Sequence, residues 1–170
     1  KLWDKFVAVF EQNADVEDRG WRGEYFGKMM RGACLTYRCY PDGELYDILY
    51  QTVQALLNTQ DDEGRITTYT KEVEFNGWDL WTRKYVLVGC LYFYEICEDE
   101  IFKGKIIKAL QCHVDYLVDN IGEGKTSIFD TSLFYGALNS SSISTYSSKS
   151  YFICCVDFII CRICQMLISL

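Results

Sequence analysis

One histidine in 170 residues and no stretch dense in lysine or arginine set the first limits on this chain. With 17 basic against 24 acidic residues the net charge is −7, so a phosphate-tracking surface is excluded and no nucleic acid partner is expected. The lone imidazole, His113, falls beside an apolar stripe on an expected helix, where a packed or surface position fits better than a catalytic one. The first residues, Lys1-Leu2-Trp3-Asp4-Lys5, carry charge where a signal peptide needs an apolar core, and no small-residue cleavage site follows. No methionine starts the chain, and the expectation is a beginning inside a longer protein or after processing. Nine cysteines, an odd number without a secretory signal, read as free thiols of a reducing, cytoplasmic compartment rather than a stapled scaffold.

What is present is globular: 49% apolar and 24% charged residues, enough for one domain that holds itself together without disulfides or metal. Aromatics reach 16%, with 13 Tyr, 10 Phe and 4 Trp, a supply that serves both helix packing and flat faces for sugars. The last forty residues differ in kind. Nine of the ten serines lie in 131–170, no glycine follows Gly136, and the charges there are Lys149, Asp157 and Arg162. Cys154, Cys155, Cys161 and Cys164 crowd the same end. Three readings stay open for it: a continuation read out of frame, which is favoured, a core helix of a larger bundle, or a membrane span over 151–170. The span has the length but would bury Asp157 and Arg162, so no membrane is expected as a partner.

Upstream, the spacing predicts helices over 22–39, 44–58, 79–97 and 100–119. Leu45, Ile48, Leu49, Val53, Leu56 and Leu57 fall on one helical face, as do Phe102, Ile106, Ile107, Leu110, Val114, Leu117 and Val118. The segments 25–40 and 81–97 are apolar over most of their circumference, as expected for helices covered on both sides. The two halves also align loosely. Gly32-Ala33-Cys34 through Pro41-Asp42 to Asp62-Glu63-Gly64 matches Gly89-Cys90-Leu91 through Glu98-Asp99 to Gly122-Glu123-Gly124, at an offset of 57 growing to 60. Repeated pairs of an inner and an outer helix imply stacking or ring closure, because one pair cannot bury its inner face alone. The expected fold is all-α: helical hairpins of an incomplete (α/α)6 toroid.

Three segments concentrate chemistry: Trp21-Arg22-Gly23-Glu24-Tyr25-Phe26-Gly27-Lys28, Gln60 to Tyr69, and Gly77-Trp78-Asp79-Leu80-Trp81-Thr82-Arg83-Lys84-Tyr85. In a toroid the inner helices begin on one rim, which gathers stacking surfaces and fixed polar groups suited to a polyol. Glu24, Tyr69, Trp78, Asp79 and Arg83 are the expected substrate-binding residues. Each also has a structural reading: Glu24 and Asp79 complement helix dipoles, and the tryptophans fill a core.

The same segments resemble the glycoside hydrolase family 127 catalytic domain, the β-L-arabinofuranosidase-like proteins of plant-glycan-degrading bacteria. The likeness rests on Trp21-x-Gly23-Glu24-x-x-Gly27-Lys28 and on Gln60-x-x-x-Gly64-x-x-x-Thr68-Tyr69, and it spans about residues 3–142. It implies that 1–142 form the N-terminal part of an (α/α)6 glycosidase domain, with 143–170 as an anomalous tail. It also implies a much longer intact enzyme, cytoplasmic or periplasmic, acting on plant or gut polysaccharide side chains. That enzyme uses a cysteine nucleophile in a zinc site of Glu and Cys ligands downstream of the matched region. No cofactor or metal site is therefore expected in this chain, and neither Cys154-Cys155 nor Cys161-x-x-Cys164 has matching surroundings. Where arabinofuranosidase members carry histidines, Trp78 and Tyr85 stand, which puts the sugar preference in doubt. The alternatives are a toroid enzyme resembling unsaturated glucuronyl hydrolases, with Glu24 and Asp79 as acid and base, and a noncatalytic helical-repeat binding protein. Carbohydrate is the expected partner, with self-association through exposed inner helices.

Overall fold

The computed structural model describes residues 2–11, 22–121 and 124–126, and it is built of helices. In order they are α1 (Leu2–Glu11), α2 (Arg22–Cys39), α3 (Gly43–Leu57), α4 (Asp79–Tyr94) and α5 (Glu100–Asn120). An isolated bridge between Ile121 and Thr126 is the one β-type pairing among the described residues. None of these helices is long and apolar enough to cross a membrane. The proposed boundary at 142/143, the tail readings and Trp21 all lie outside the described residues.

Local chemistry explains the boundaries. Asp42 accepts from the Leu45 amide at 2.7 Å and so caps α3, while Asp99 accepts from the Phe102 amide at 3.0 Å and caps α5. These two caps sit 57 residues apart, at the offset of the repeat. The Phe102 amide and then the Tyr50 hydroxyl, which donates to Asp99 at 2.9 Å, hold the Asp99 carboxyl below its ordinary value. Helix α4 stops three residues short of the sequence expectation because the chain tightens there. The Cys97 amide bonds back to the Phe93 carbonyl, and the Glu98 amide donates to the Tyr46 hydroxyl at 3.0 Å.

Helices α2 and α4 lie side by side and parallel. Contacts pair Gly23 with Thr82, Gly27 with Tyr85, Arg31 with Tyr92 and Arg38 with Glu95, a register that advances together along both helices. A β-carbon on Gly27 would land on the Tyr85 carbonyl oxygen, and one on Gly89 would come within 2.9 Å of the Phe26 ring and 3.0 Å of the Gly27 Cα. The backbones approach this closely because both positions lack side chains. Helices α1, α3 and α5 form the second layer. Phe10 of α1 meets Phe26 edge-on at 6.0 Å, and Tyr50, Phe93 and Phe102 join Leu49, Val53, Leu56, Ile106 and Leu110 in the core between layers.

The sequence periodicity did not reveal α1, whose short stripe of Val7 and Phe10 becomes buried only through α2 and α3. It also overstated the cover on α2. Phe26, Met30 and Cys34 form one buried edge, whereas Tyr25, Met29 and Leu35 are exposed on the other. Helix α4 is buried much more completely, from Asp79 to Phe93.

The glycine seam gives a prediction of opposite signs. Alanine normally stabilises a helix interior over glycine by about 1 kcal/mol. Gly104→Ala, at a position with no neighbouring atom within 4 Å, should follow that rule. Gly27→Ala should instead destabilise by about 1–3 kcal/mol through overpacking. Urea denaturation of the two variants checks both.

Candidate functional site at the start of the inner helices

The segment 58–78 leaves the outer layer and returns to the start of α4, and almost all of its turns are pinned. Gln60 Nε2 donates to the carbonyls of Gly64 and Ala109, both at 2.8 Å. Gly64 has φ of 92°, and a β-carbon there would lie 2.6 Å from the Cys112 carbonyl oxygen, so the turn presses against α5 where only glycine fits. Its neighbour Arg65 is thereby turned inward, 8% exposed.

Arg65 enters a chain of charge-assisted bonds. Its Nε donates to Glu74 Oε2 at 3.0 Å, Nη1 to Asp61 at 3.0 Å and Nη2 to the Tyr69 carbonyl at 3.2 Å. Glu74 Oε2 also accepts from Arg83 Nη2 at 2.7 Å, and its Oε1 accepts from the Tyr116 hydroxyl at 2.6 Å. Arg83 Nε donates to Asp79 Oδ2 at 2.9 Å, which also takes the Phe75 amide at 2.8 Å, while the Thr67 hydroxyl donates to Asp79 Oδ1. Phe75 adopts φ of 62°, an uncommon conformation for a side-chain-bearing residue. Its amide bond to Asp79 holds it there, with the Arg83 guanidinium 5.0 Å from its ring and the Tyr116 ring stacked at 6.1 Å.

Of the five residues expected from the sequence, Tyr69, Asp79 and Arg83 are fully buried, and Trp78 is half-buried beside them with its amide donating to the Tyr69 hydroxyl at 3.3 Å. Glu24 is also buried, but it pairs with Lys28 one turn along α2. Asp79 and Arg83 do form the i, i+4 ion pair that their spacing suggests. Arg83, however, directs Nε to Asp79 and Nη2 to Glu74, and its remaining Nη1 is buried. Asp79 has both oxygens engaged at zero exposure, which makes it a positioning group rather than a general acid.

Glu74 and Tyr116 lay in none of the three sequence clusters. Glu74 stands nine residues from each of its arginines and Tyr116 is on another helix, so no helical or strand periodicity links them. His113 proves to be packed, at zero exposure, and its Nδ1 accepts from the Ile66 amide at 3.1 Å. Burial first, and then the charge of Arg83, pushes its pKa down to about 3. Its Nε2 and Arg83 Nη1 are buried and unpartnered among the described residues.

The surface above this network is aromatic. Trp78 and Trp81 meet edge-on at 6.1 Å, and Trp81 and Tyr85 at 5.3 Å. Lys84 Nζ stands 3.4 Å from the Trp81 ring centre and 4.7 Å from that of Tyr85, and Lys28 Nζ lies 5.4 Å from Tyr85. A separate cavity of about 320 Å³, lined by Phe10, Glu11, Asn58, Thr59, Asp61, Arg65 and Thr67, borders the network at the end of α3.

No group of three His, Cys, Asp or Glu side chains among the described residues converges to hold a metal ion. The described cysteines, Cys34, Cys39, Cys90, Cys97 and Cys112, are free. Burial raises the thiols of Cys34 and Cys90 to about 12, which keeps them protonated and unreactive. With no such convergence, the described cysteines do not assemble a zinc–thiolate ligand set.

Buried neutral His113 makes stability depend on pH. The folded group stays unprotonated where an unfolded histidine takes up a proton, so the folded state loses ground as pH falls below the ordinary histidine range. The slope between pH 6 and 5 should approach about 1.4 kcal/mol per pH unit, and His113→Gln should flatten it. Urea midpoints measured across that interval check the effect.

A model of the family described as Beta-L-arabinofuranosidase, GH127 catalytic domain, matches residues 4–129. Comparisons with curated proteins and with solved structures returned no match. The matched span takes in α1 from Asp4 onward, the whole of α2 to α5, the pinned 58–78 segment and the aromatic surface. By that match the chain belongs to the GH127 β-L-arabinofuranosidase-type catalytic-domain family and is a glycoside hydrolase-like protein.

Proposed function

We propose that this chain is the N-terminal portion of a glycoside hydrolase that acts, when intact, on side chains of plant or gut polysaccharides. In this reading Glu24, Tyr69, Trp78, Asp79 and Arg83 build the saccharide-facing rim. Trp78 offers the stacking face, while Tyr69, Asp79 and Arg83 set its position from beneath. One observation carries the proposal: parallel α2 and α4 bring their first turns, a braced loop and a half-exposed aromatic surface to the same end. Aromatic faces with a few fixed polar groups are what sugar pockets require. The chain itself supplies binding and orientation. The family's zinc-held cysteine nucleophile has no counterpart among the described residues, so on this reading the chain alone does not turn over substrate.

The decisive experiment has two arms. The 170-residue chain should show no turnover of aryl arabinofuranosides and no stoichiometric zinc, and turnover abolished by Cys154→Ala or Cys155→Ala would overturn the proposal. In an intact relative carrying the same three segments, the substitution equivalent to Trp78→Ala should raise KM more than it lowers kcat, as expected for lost uniform binding.

The exposed Tyr25, Met29 and Leu35 on α2 also support self-association of the chain. Sedimentation velocity should show oligomers that Met29→Lys disperses. A monodisperse monomer at all concentrations is the contrary result.

A further inference from the structure

The cavity of about 320 Å³ at the end of α3 is electrostatically one-sided. Its floor is buried, formed by Phe10, Arg65 and Thr67, and its mouth is exposed at Glu11, Asn58 and Asp61. Helices α1 and α3 both end beside it, at Glu11 and Leu57, so the partial negative charges of two helix C-termini border the same space. Neither helix has a basic residue in its last turn, and Glu11 puts a carboxylate at the helix end that favours a cation. Among the described residues that line the cavity Arg65 is the one cation, and it is already engaged with Asp61, Glu74 and the Tyr69 carbonyl. The side chains of Glu11 and Asn58 have no partner among the described residues.

We propose that this cavity binds a small hydroxylated ligand that carries a protonated amine and has about the size of one sugar ring. The ammonium group meets Glu11 beside the two helix ends, where its charge answers the carboxylate and both dipoles. Hydroxyl groups of the ligand reach the Asn58 carboxamide and the remaining lone pair of Asp61 Oδ2, and its apolar edge rests on Phe10. The volume is at the small end of ligand pockets, which suits a single ring. An anion would meet Glu11 and both helix ends with the wrong sign. A metal ion fits less well than an amine, since no three His, Cys, Asp or Glu side chains among the described residues converge to hold one. The inference is independent of the saccharide rim, because Trp78 and Trp81 line no part of this cavity.

The test is calorimetric titration of the full 170-residue chain with glucosamine and with glucose, which differ by an ammonium group in place of one hydroxyl. At about pH 6 the amine is protonated. Glucosamine should then bind about three- to tenfold more tightly, the scale of one exposed ion pair aided by helix ends, with a preference that shrinks as salt is added. Glu11→Gln, at an exposed position, should remove the preference, and Asn58→Ala should weaken both sugars while keeping their ratio. Trp78→Ala should leave the preference unchanged, which separates this cavity from the rim. Equal binding of the two sugars, no binding of glucosamine, or a preference that survives Glu11→Gln overturns the inference and leaves the rim standing. A preference lost in Trp78→Ala moves the amine to the rim and also overturns it. Binding of calcium chloride tighter than that of glucosamine, and lost in Glu11→Gln, assigns the cavity to a metal ion and overturns it as well.

Discussion

Glu74 is the group on which this half of the molecule depends. One carboxylate oxygen takes both Arg65 and Arg83, and the other takes Tyr116, so three separate parts of the chain meet on a single side chain that is itself almost buried. Burying charges is costly, and such a cluster is tolerable only when each member answers another. Removing Glu74 would leave two guanidinium groups facing each other in a poorly hydrated place, a loss of about 3–5 kcal/mol in comparable buried pairs. The surface pair of Lys71 with Glu63, about half exposed on both sides, carries no such weight.

That cluster also shows what a sequence conveys and what it does not. The four central helices were legible within three residues at every end, because apolar spacing and the breaks at Pro41-Asp42 and Glu98-Asp99 are local signals. The fold class followed from them. Tyr69, Trp78, Asp79 and Arg83 were legible as a group since three of them open one helix, but their burial was not. Whether an arginine faces a ligand or a neighbouring carboxylate is decided by Glu74, which comes from an irregular loop that no periodicity marks. The start of α2 puts Glu24 at the end where α4 also begins, yet its partner is Lys28 on its own helix.

The repeat explains why α2 and α4 are parallel. Equivalent positions, such as Arg38 and Glu95, meet across the seam and form an ion pair at 3.3 Å. Glycines at 27 and 89 let the helices come close enough for that register to be read by backbone contact rather than by large side chains. Phe26, Tyr85 and Tyr92 line this seam, and further aromatic residues gather in the core between layers and on the outer surface near Trp81.

Parallel packing has an electrical consequence. The peptide dipoles of α2 and α4 point the same way, so the partial positive charges of their first turns, about half an elementary charge each, stand side by side instead of cancelling. The acids that open these helices, Glu24 and Asp79, answer that local field at the point where it is strongest. Asp79 thus serves three positive neighbours at once: the helix terminus, the Phe75 amide and Arg83. Any further inner helix laid down in the same register would add its own dipole to the same end, so the field along the inner layer would grow with each repeat while the outer layer, running the other way, points its own against it.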